Sequence, residues 1–243
     1  MIEAGFFTIL DTVDSTNNYA MARISDGLAR HGMAWFANEQ TAGKGQRGKH
    51  WTSEKGKNIA MSLVLEPEKL KITSPFHLSA SIAVACFEFL TGYIDGDTKI
   101  KWPNDMFWRD RKAGGILIEN KIQGKIWKWA VVGIGININQ AVFDKSLANA
   151  VSLKQITGKT FNPVDLSKEL CALLMKKLHE ALSLEEILHE YNQHLYKINE
   201  LVTLSNEGVK FETVIKEVSL QGKLVTVDAI EREFDFGEVE WVL

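Results

Sequence analysis

At 243 residues, with 45% hydrophobic and 24% charged residues, the chain has the composition of a folded globular protein. It is sized for one large domain or for a large and a small one. A net charge of −3 argues against general nucleic-acid binding, so its cations matter through local clustering.

The two cysteines, Cys86 and Cys171, lie in apolar helical patterns and read as buried thiols. No Cys/His spacing suggests a zinc site. Met1-Ile2-Glu3-Ala4 lacks the positive region and cleavage site of a signal peptide. The longest apolar run, near Ile82 to Leu90, is interrupted by Glu88 and is too short to span a bilayer. The expectation is a reduced, cytoplasmic location with no membrane association.

In chain order, Phe6 to Leu10 reads as a first strand. Asp14-Ser15-Thr16-Asn17-Asn18 then opens a helix to about Arg30, with Ser15 or Thr16 as N-cap and Tyr19, Ile24 and Leu28 sharing a face. Capping alone accounts for these hydroxyls. They also fit the binding of a polar ligand group at a helix start. Met33 to Asn38 is a strand that delivers Glu39-Gln40 to the stretch Gly43-Lys44-Gly45-Gln46-Arg47-Gly48-Lys49.

That stretch has three glycines and three cations in seven residues. Backbone amides of glycine can approach an anion closely because no Cβ blocks them. It fits a dinucleotide fingerprint and most of a P-loop by letter, and neither holds. His50 stands where a P-loop needs Ser or Thr, and no helical period follows the last glycine. The loop lies between two strands. A solvated hairpin loop and a phosphate- or carboxylate-holding loop both remain open on this stretch alone.

Asn58 to Glu66 is the returning strand. Ser74-Pro75 starts an apolar helix, Phe76 to about Tyr93. Thr98 to Trp102 is a strand stopped by Pro103. Met106 to Trp108 is a short strand, Arg109 to Arg111 a turn, and Lys112 to Asn120 a strand with Gly114-Gly115 near its start. Glycine there weakens a strand unless another group must come close. Ile126 to Ile138 follows, and in Gly133-Ile134-Gly135-Ile136-Asn137 one face is stripped of bulk. That face suits a flat ligand or close packing against a helix. A short helix is predicted around Val151 to Thr157, then helices from Pro163 to about Leu182 and from Leu184 to Leu195. From Leu201 the pattern turns to period two, in about five strands punctuated by Gly208, Gly222 and Gly237. The boundary is placed near residue 197.

Together the glycine-basic loop, Lys101-Trp102-Pro103-Asn104-Asp105, Lys112-Ala113-Gly114-Gly115-Ile116-Leu117-Ile118-Glu119 and Gly133-Ile134-Gly135-Ile136-Asn137 resemble the biotin–protein ligases, the biotin–[acetyl-CoA-carboxylase] ligase family. The resemblance covers essentially the whole chain. It implies an α/β (α+β) fold of the class II aminoacyl-tRNA synthetase type: a mixed, mostly antiparallel sheet with helices packed on one side, over residues 1–196. A small SH3-like β-barrel over 197–243 follows. The helix-turn-helix of repressor-type members has no counterpart, so the resemblance is to the short form, without DNA binding.

The implied reaction joins biotin to the α-phosphate of MgATP. A lysine of a biotin carboxyl carrier domain then attacks the biotinyl-adenylate. By resemblance, Lys112 bridges the biotin carboxylate and the α-phosphate, with Arg47 and Lys44 as further catalytic cations. Ser15, Thr16, Asn17 and Gln40 hold the biotin head, with Lys44, Gly45, Gln46, Lys112, Gly114 and Gly115 completing the biotin site. Arg47, Gly48, Lys49, Trp51, Lys101, Asn104, Asp105 and Asn137 serve ATP and the adenylate. Asp105 is the candidate magnesium ligand. Lys44, Gln46 and Lys49 stand where the family commonly has arginine, and Lys cannot make Arg's bidentate fork. This implies a more weakly held adenylate. The loop from Lys44 to Lys57 and the Arg109 to Lys112 turn are expected to be mobile until ligand binds. A homodimer pairing through the sheet is compatible. The rivals are a lipoate or octanoate ligase or transferase on the same fold, and a non-catalytic nucleotide-binding relative.

Overall fold

The computed structural model describes residues 6–94, 96–180 and 182–242; Met1 to Ala4, read above for targeting, lies outside them. The first sheet is built from β1 (Phe7–Val13), β2 (Ala34–Gln40), β3 (Ile59–Leu65), β4 (Thr98–Lys101), β5 (Asp105–Trp108), β6 (Arg111–Gln123) and β7 (Ile126–Ile136). Their order is β1-β2-β3-β7-β6-β5-β4. Only the β1–β2 pairing is parallel, so the sheet is mixed and mostly antiparallel.

Period-two alternation divides the central strands between two faces. Ala34, Phe36, Leu63, Leu65, Ala130 and Val132 belong to the main core. That core is shared with α2 (Pro75–Thr91), α4 (Pro163–Glu180) and α5 (Leu184–Gln193). The intervening residues Trp35, Val64 and Val131 pack instead with Ala20 and Ile24 of α1 (Thr16–Ser25). The large helices cover one face as expected, but α1 lies on the other. Burial on both faces explains why every residue of β3 is buried.

Helix starts follow local chemistry. Ser74 Oγ accepts from the His77 amide at 3.1 Å and Pro75 opens α2, because Pro lacks only an N–H that the first turn leaves unpaired. Ser152 with Gln155 and Ser183 with Glu186 form capping boxes at α3 (Leu153–Thr157) and α5. The first helix is shorter than the expected run to Arg30. It ends at Ser25, where Gly27 takes φ 72°, and Leu28 is exposed rather than on the buried face.

The second sheet has β8 (Leu201–Asn206), β9 (Val209–Val218), β10 (Leu224–Val227), β11 (Glu231–Phe234) and β12 (Glu240–Trp241), in the order β11-β10-β9-β8-β12. The expected barrel is not closed: β11 and β12 are the two edges and do not pair. The reason lies in the turn between them. Gly237, at φ 92°, presents its carbonyl to Arg47 of the first sheet's loop. Residues 236–241 are thereby drawn toward the first sheet. Leu204, Ile215, Val218, Leu224 and Phe234 join the same core as the large sheet. No helix among the described residues is long and apolar enough to cross a membrane.

Candidate active site

On the face of the sheet shared with α1, strand register places the glycines. Ala60, Gly135, Gly115, Asp105 and Lys101 form one continuous cross-strand row over β3, β7, β6, β5 and β4. Ser62, Gly133 and Leu117 form the neighbouring row. Directly paired residues point to the same face. Over these rows lies a cavity of about 680 Å3.

One end of the cavity is polar and rigid. Ser15, Thr16 and Asn17 are almost fully buried although all are polar. Ser15 has the extended backbone of an N-cap, yet its side chain makes no capping bond. Instead the Thr16 amide donates to Gln40 Oε1 at 2.8 Å. Ser62 Oγ donates to Asn17 Oδ1 at 2.6 Å and lies 2.7 Å from Thr16 Oγ1. Asn17 Nδ2 donates to Glu119 Oε2 at 2.7 Å and to the Leu117 carbonyl at 3.4 Å. Glu119 also holds Lys44, Nζ to Oε1 3.2 Å. Thr16 Oγ1 also lies 3.1 Å from Gln40 Oε1, so two hydroxyl protons, on Ser62 and Thr16, serve three contacts, and each side chain fixes the next.

The glycine face is occupied by the chain itself. A Cβ on Gly133 would overlap the Asn17 amide, and one on Gly135 would overlap the Trp51 ring. The bare strand face expected to take a flat ligand is therefore taken by Asn17 and Trp51. Gly115 lies beneath Lys112 and Asp105, whose Nζ and Oδ1 are 2.7 Å apart. Gly114, expected in the biotin site, instead packs against the Gly135 backbone and does not line the cavity. Gly48, at φ 75°, also lies outside the lining, because with Arg47 at φ 54° it forms the left-handed tip of the loop.

The loop closes on itself. Gly45 N donates to Lys49 O at 2.7 Å and Trp51 N to Gly43 O at 2.9 Å. Lys44, Gly45, Gln46, Arg47, Lys49 and Trp51 all line the cavity. Gln46 donates from Nε2 to the Ile116 carbonyl at 3.3 Å, while its Oε1 is buried without a partner. The indole N–H of Trp51 is likewise buried and unpartnered. Arg47, expected on phosphate, donates to the Gly237 carbonyl at 3.1 Å.

Two residues expected at the triphosphate act within the protein as brackets. Asn104 Nδ2 donates to the Ile116 carbonyl. Asn137 Nδ2 donates to the carbonyls of Lys112 at 3.3 Å and Val151 at 3.2 Å. The Lys112 backbone is further fixed by its N–H to Asn149 O at 2.6 Å and by Val151 N to its own carbonyl at 2.9 Å. Lys112 is thus a long side chain on a backbone held from both sides. The ammonium of Lys101 is buried above the rings of Phe107, Trp241 and Tyr196, 4.6, 5.2 and 5.8 Å from their centroids. Burial pulls its pKa down from 10.5 to about 8; Asp105 opposes the fall, and Lys112 and Lys49 add to it. Among the described residues no three His, Cys, Asp or Glu side chains converge as a metal site. Asp105 is held in its pair with Lys112.

Reasoning from sequence missed Ser62, Glu119 and the wall formed by Phe236, Gly237, Val239, Glu240 and Trp241. Ser62 had a readable signal, as the one polar residue in Ile59-Ala60-Met61-Ser62-Leu63-Val64-Leu65. The C-terminal wall had none.

The arrangement offers a rigid polar pocket, a central lysine over a glycine and a ring of further cations. Residues 9–137 match the sequence pattern of the biotin/lipoate A/B protein ligase family. Over 224 residues the chain is 31% identical to the bifunctional ligase/repressor BirA of Escherichia coli strain K12, covering 89% of this chain and 65% of that protein. It is 35% identical over 163 residues to the biotin–[acetyl-CoA-carboxylase] ligase of Paracoccus denitrificans, covering 64% of this chain and 65% of that one. Among solved structures it is similar to the biotin protein ligase from Aquifex aeolicus in complex with biotin and ATP. The TM-score is 0.81 at 25% identity, over 97% of this chain and 98% of that one. The chain spans 65% of the length of the Escherichia coli relative and 53% of that of its Bacillus subtilis counterpart.

Proposed function

Because the chain belongs to the biotin/lipoate A/B protein ligase family, we propose that it ligates biotin, through biotinyl-5′-adenylate, to a lysine of a biotin carboxyl carrier domain. The observation that carries this reading is one cavity with two ends: the Ser15-Thr16-Asn17-Gln40 pocket, backed by Ser62, and Lys112 over Gly115 beside Asp105.

A cyclic urea carries one strong acceptor and two N–H donors. The hydroxyl and amide groups at the polar end match that inventory. At the other end a carboxylate must approach a phosphate, two anions that repel. Lys112 offsets this repulsion from a fixed backbone, and Lys44 and Lys49 add positive charge from the loop. Preorganised donors of this kind are worth roughly 2.7–4 kcal/mol each in a barrier. Trp51, lying on Gly135, offers a flat face to the adenine. Asn104 acts by tying the β4–β5 turn to β6, and Asn137 by holding Lys112 in place.

Magnesium fits as an ion delivered on the triphosphate, since Mg2+ needs only one or two carboxylates when phosphates supply the rest. Asp105 would be that carboxylate, and the ion would neutralise phosphate charge. The acceptor amine then attacks the mixed anhydride, and AMP leaves. We place the division of the chain at 196/197 and assign the ligation chemistry to the first part.

A lipoyl or octanoyl substrate would set hydrocarbon against Thr16, Asn17, Gln40 and Ser62, and leaving such groups unpaired is costly. The polar pocket therefore favours biotin. The test is transfer of biotin to a purified carrier domain with ATP and magnesium, comparing wild type with Lys112→Ala. Labelling that the variant largely loses supports the reading. Labelling only with lipoate or octanoate overturns the choice of acid. Labelling that survives in the variant moves the chemistry to the other cations.

A further inference from the structure

Glu119 does not line the cavity, yet two residues that do are fastened to it. Its Oε2 accepts from Asn17 Nδ2 at 2.7 Å, and its Oε1 lies 3.2 Å from Lys44 Nζ. Asn17 belongs to α1 and Lys44 to the glycine-basic loop. Register explains why they meet here. Gly115, Leu117 and Glu119 alternate onto one face of β6. Glu119 pairs with Val131, which packs with Ala20 and Ile24 of α1. The carboxylate therefore stands behind the polar end of the cavity, between the helix start and the loop.

The chemistry of that carboxylate fixes direction as well as place. An ionised carboxylate accepts and never donates. The Asn17 atom facing it is therefore the amide nitrogen, which also donates to the Leu117 carbonyl at 3.4 Å. The amide oxygen is thereby turned to Ser62, and the Ser62 proton is committed to it at 2.6 Å. Thr16 keeps its own proton for Ser62 or Gln40. One negative charge thus sets the polarity of the whole row. Among the described residues Lys44 is the one cation within 4.0 Å of Glu119, so the same charge holds the loop's first cation against the pocket. A neutral amide has one accepting end and one donating end. It cannot serve both Asn17 Nδ2 and the Lys44 ammonium.

On the reading that the cavity activates biotin with ATP, we propose that Glu119 is a positioning residue that couples head recognition to loop placement. It turns Asn17 so that Oδ1 keeps a lone pair for an N–H of the cyclic urea, and it ties Lys44 to the same pocket. Glu119 itself touches neither substrate and acts through these two side chains.

The test compares wild type, Glu119→Gln, Glu119→Leu, Lys44→Met and the double variant Glu119→Leu/Lys44→Met as full chains. Calorimetry reads biotin and ATP affinity separately. The rate of tryptic cleavage after Arg47 without ligand reads how firmly the loop is held. Biotin affinity is expected to fall about tenfold in Glu119→Leu and about threefold in Glu119→Gln, which keeps the shape and one acceptor. ATP affinity should fall by no more than about threefold in Glu119→Leu, and loop cleavage should be faster in every variant. Lys44→Met should cost about threefold less biotin affinity in the Glu119→Leu background than in wild type, because its partner is already gone. Equal losses for biotin and ATP, as a residue that only supports the sheet would give, overturn the proposal. So do unchanged biotin affinity in Glu119→Leu and losses from the two single variants that multiply in full. Cleavage that accelerates in Glu119→Gln while wild type binds no biotin keeps Glu119 as the tie of the loop and sinks the biotin reading instead.

Discussion

Trp51 lies against Gly135 so closely that the indole occupies the space of the side chain the glycine lacks. This contact joins the glycine-basic loop to the middle of the sheet, because the Trp51 amide also donates to the Gly43 carbonyl at 2.9 Å at the base of the loop. Gly135→Ala is expected to lift the ring and with it the loop. ATP affinity should fall at least about tenfold, roughly 1.4 kcal/mol, while Trp51→Phe, which keeps a flat ring, should lose much less. Equal ATP affinity in wild type and Gly135→Ala would show that the stacking does not position the nucleotide.

Ser62 is the hub of the polar end, within 2.7 Å of both Thr16 Oγ1 and Asn17 Oδ1. Ser62→Ala removes one hydroxyl and leaves the buried Asn17 Oδ1 short of its donor, a cost of about 1–3 kcal/mol. The variant should therefore melt earlier and bind biotin more weakly, with ATP affinity retained. A variant that melts earlier but binds biotin as wild type does would confine Ser62 to a structural role.

Gln46 spans the cavity edge with one end bonded to the Ile116 carbonyl and the other buried without a partner. A guanidinium at this position adds charge and a forked donor beside the carboxylate and phosphate. Gln46→Arg is expected to slow release of biotinyl-adenylate by about tenfold. Stopped-flow dissociation rates that match between the two proteins would refute the idea that the loop's lost arginines loosen the adenylate.

The sequence revealed most of the strands and helices because each carries a strong period and clear turn signals. It also showed that space had been cleared above the sheet at Gly133 and Gly135. It could not show that Asn17 and Trp51 fill that space, since the occupants lie far from the glycines in the chain. Ser62 was overlooked for the same reason: its partners are 46 and 45 residues away. The last strands read as strands from their alternation. Their route toward the cavity depends on Arg47 reaching Gly237, 190 residues on, and on Trp102 donating to the Gly222 carbonyl at 3.0 Å. No local pattern encodes those ties, which is why a closed barrel was expected and an open sheet is found.

Lys101 makes a prediction about stability that needs no substrate. Its folded-state pKa is near 8 and its ordinary value is 10.5. Below about pH 8 the group is charged in both states, and the folded protein carries the full cost of a desolvated ammonium. Between about pH 8 and 10.5 the folded lysine loses its proton while the unfolded chain keeps it. The unfolded state then binds more protons, so this residue's contribution to stability rises with pH across that window. Lys101→Met has no such proton. Compared by urea unfolding at about pH 7 and about pH 10, wild type should gain on the variant at the higher pH. The other titrating groups are common to both proteins, although Asp105, Lys112 and Lys49 feel the loss of the Lys101 charge and limit the size of the effect. Free ammonium in water shows no such trend, so a difference between the two proteins that stays constant with pH would mean that the aromatic box leaves Lys101 hydrated.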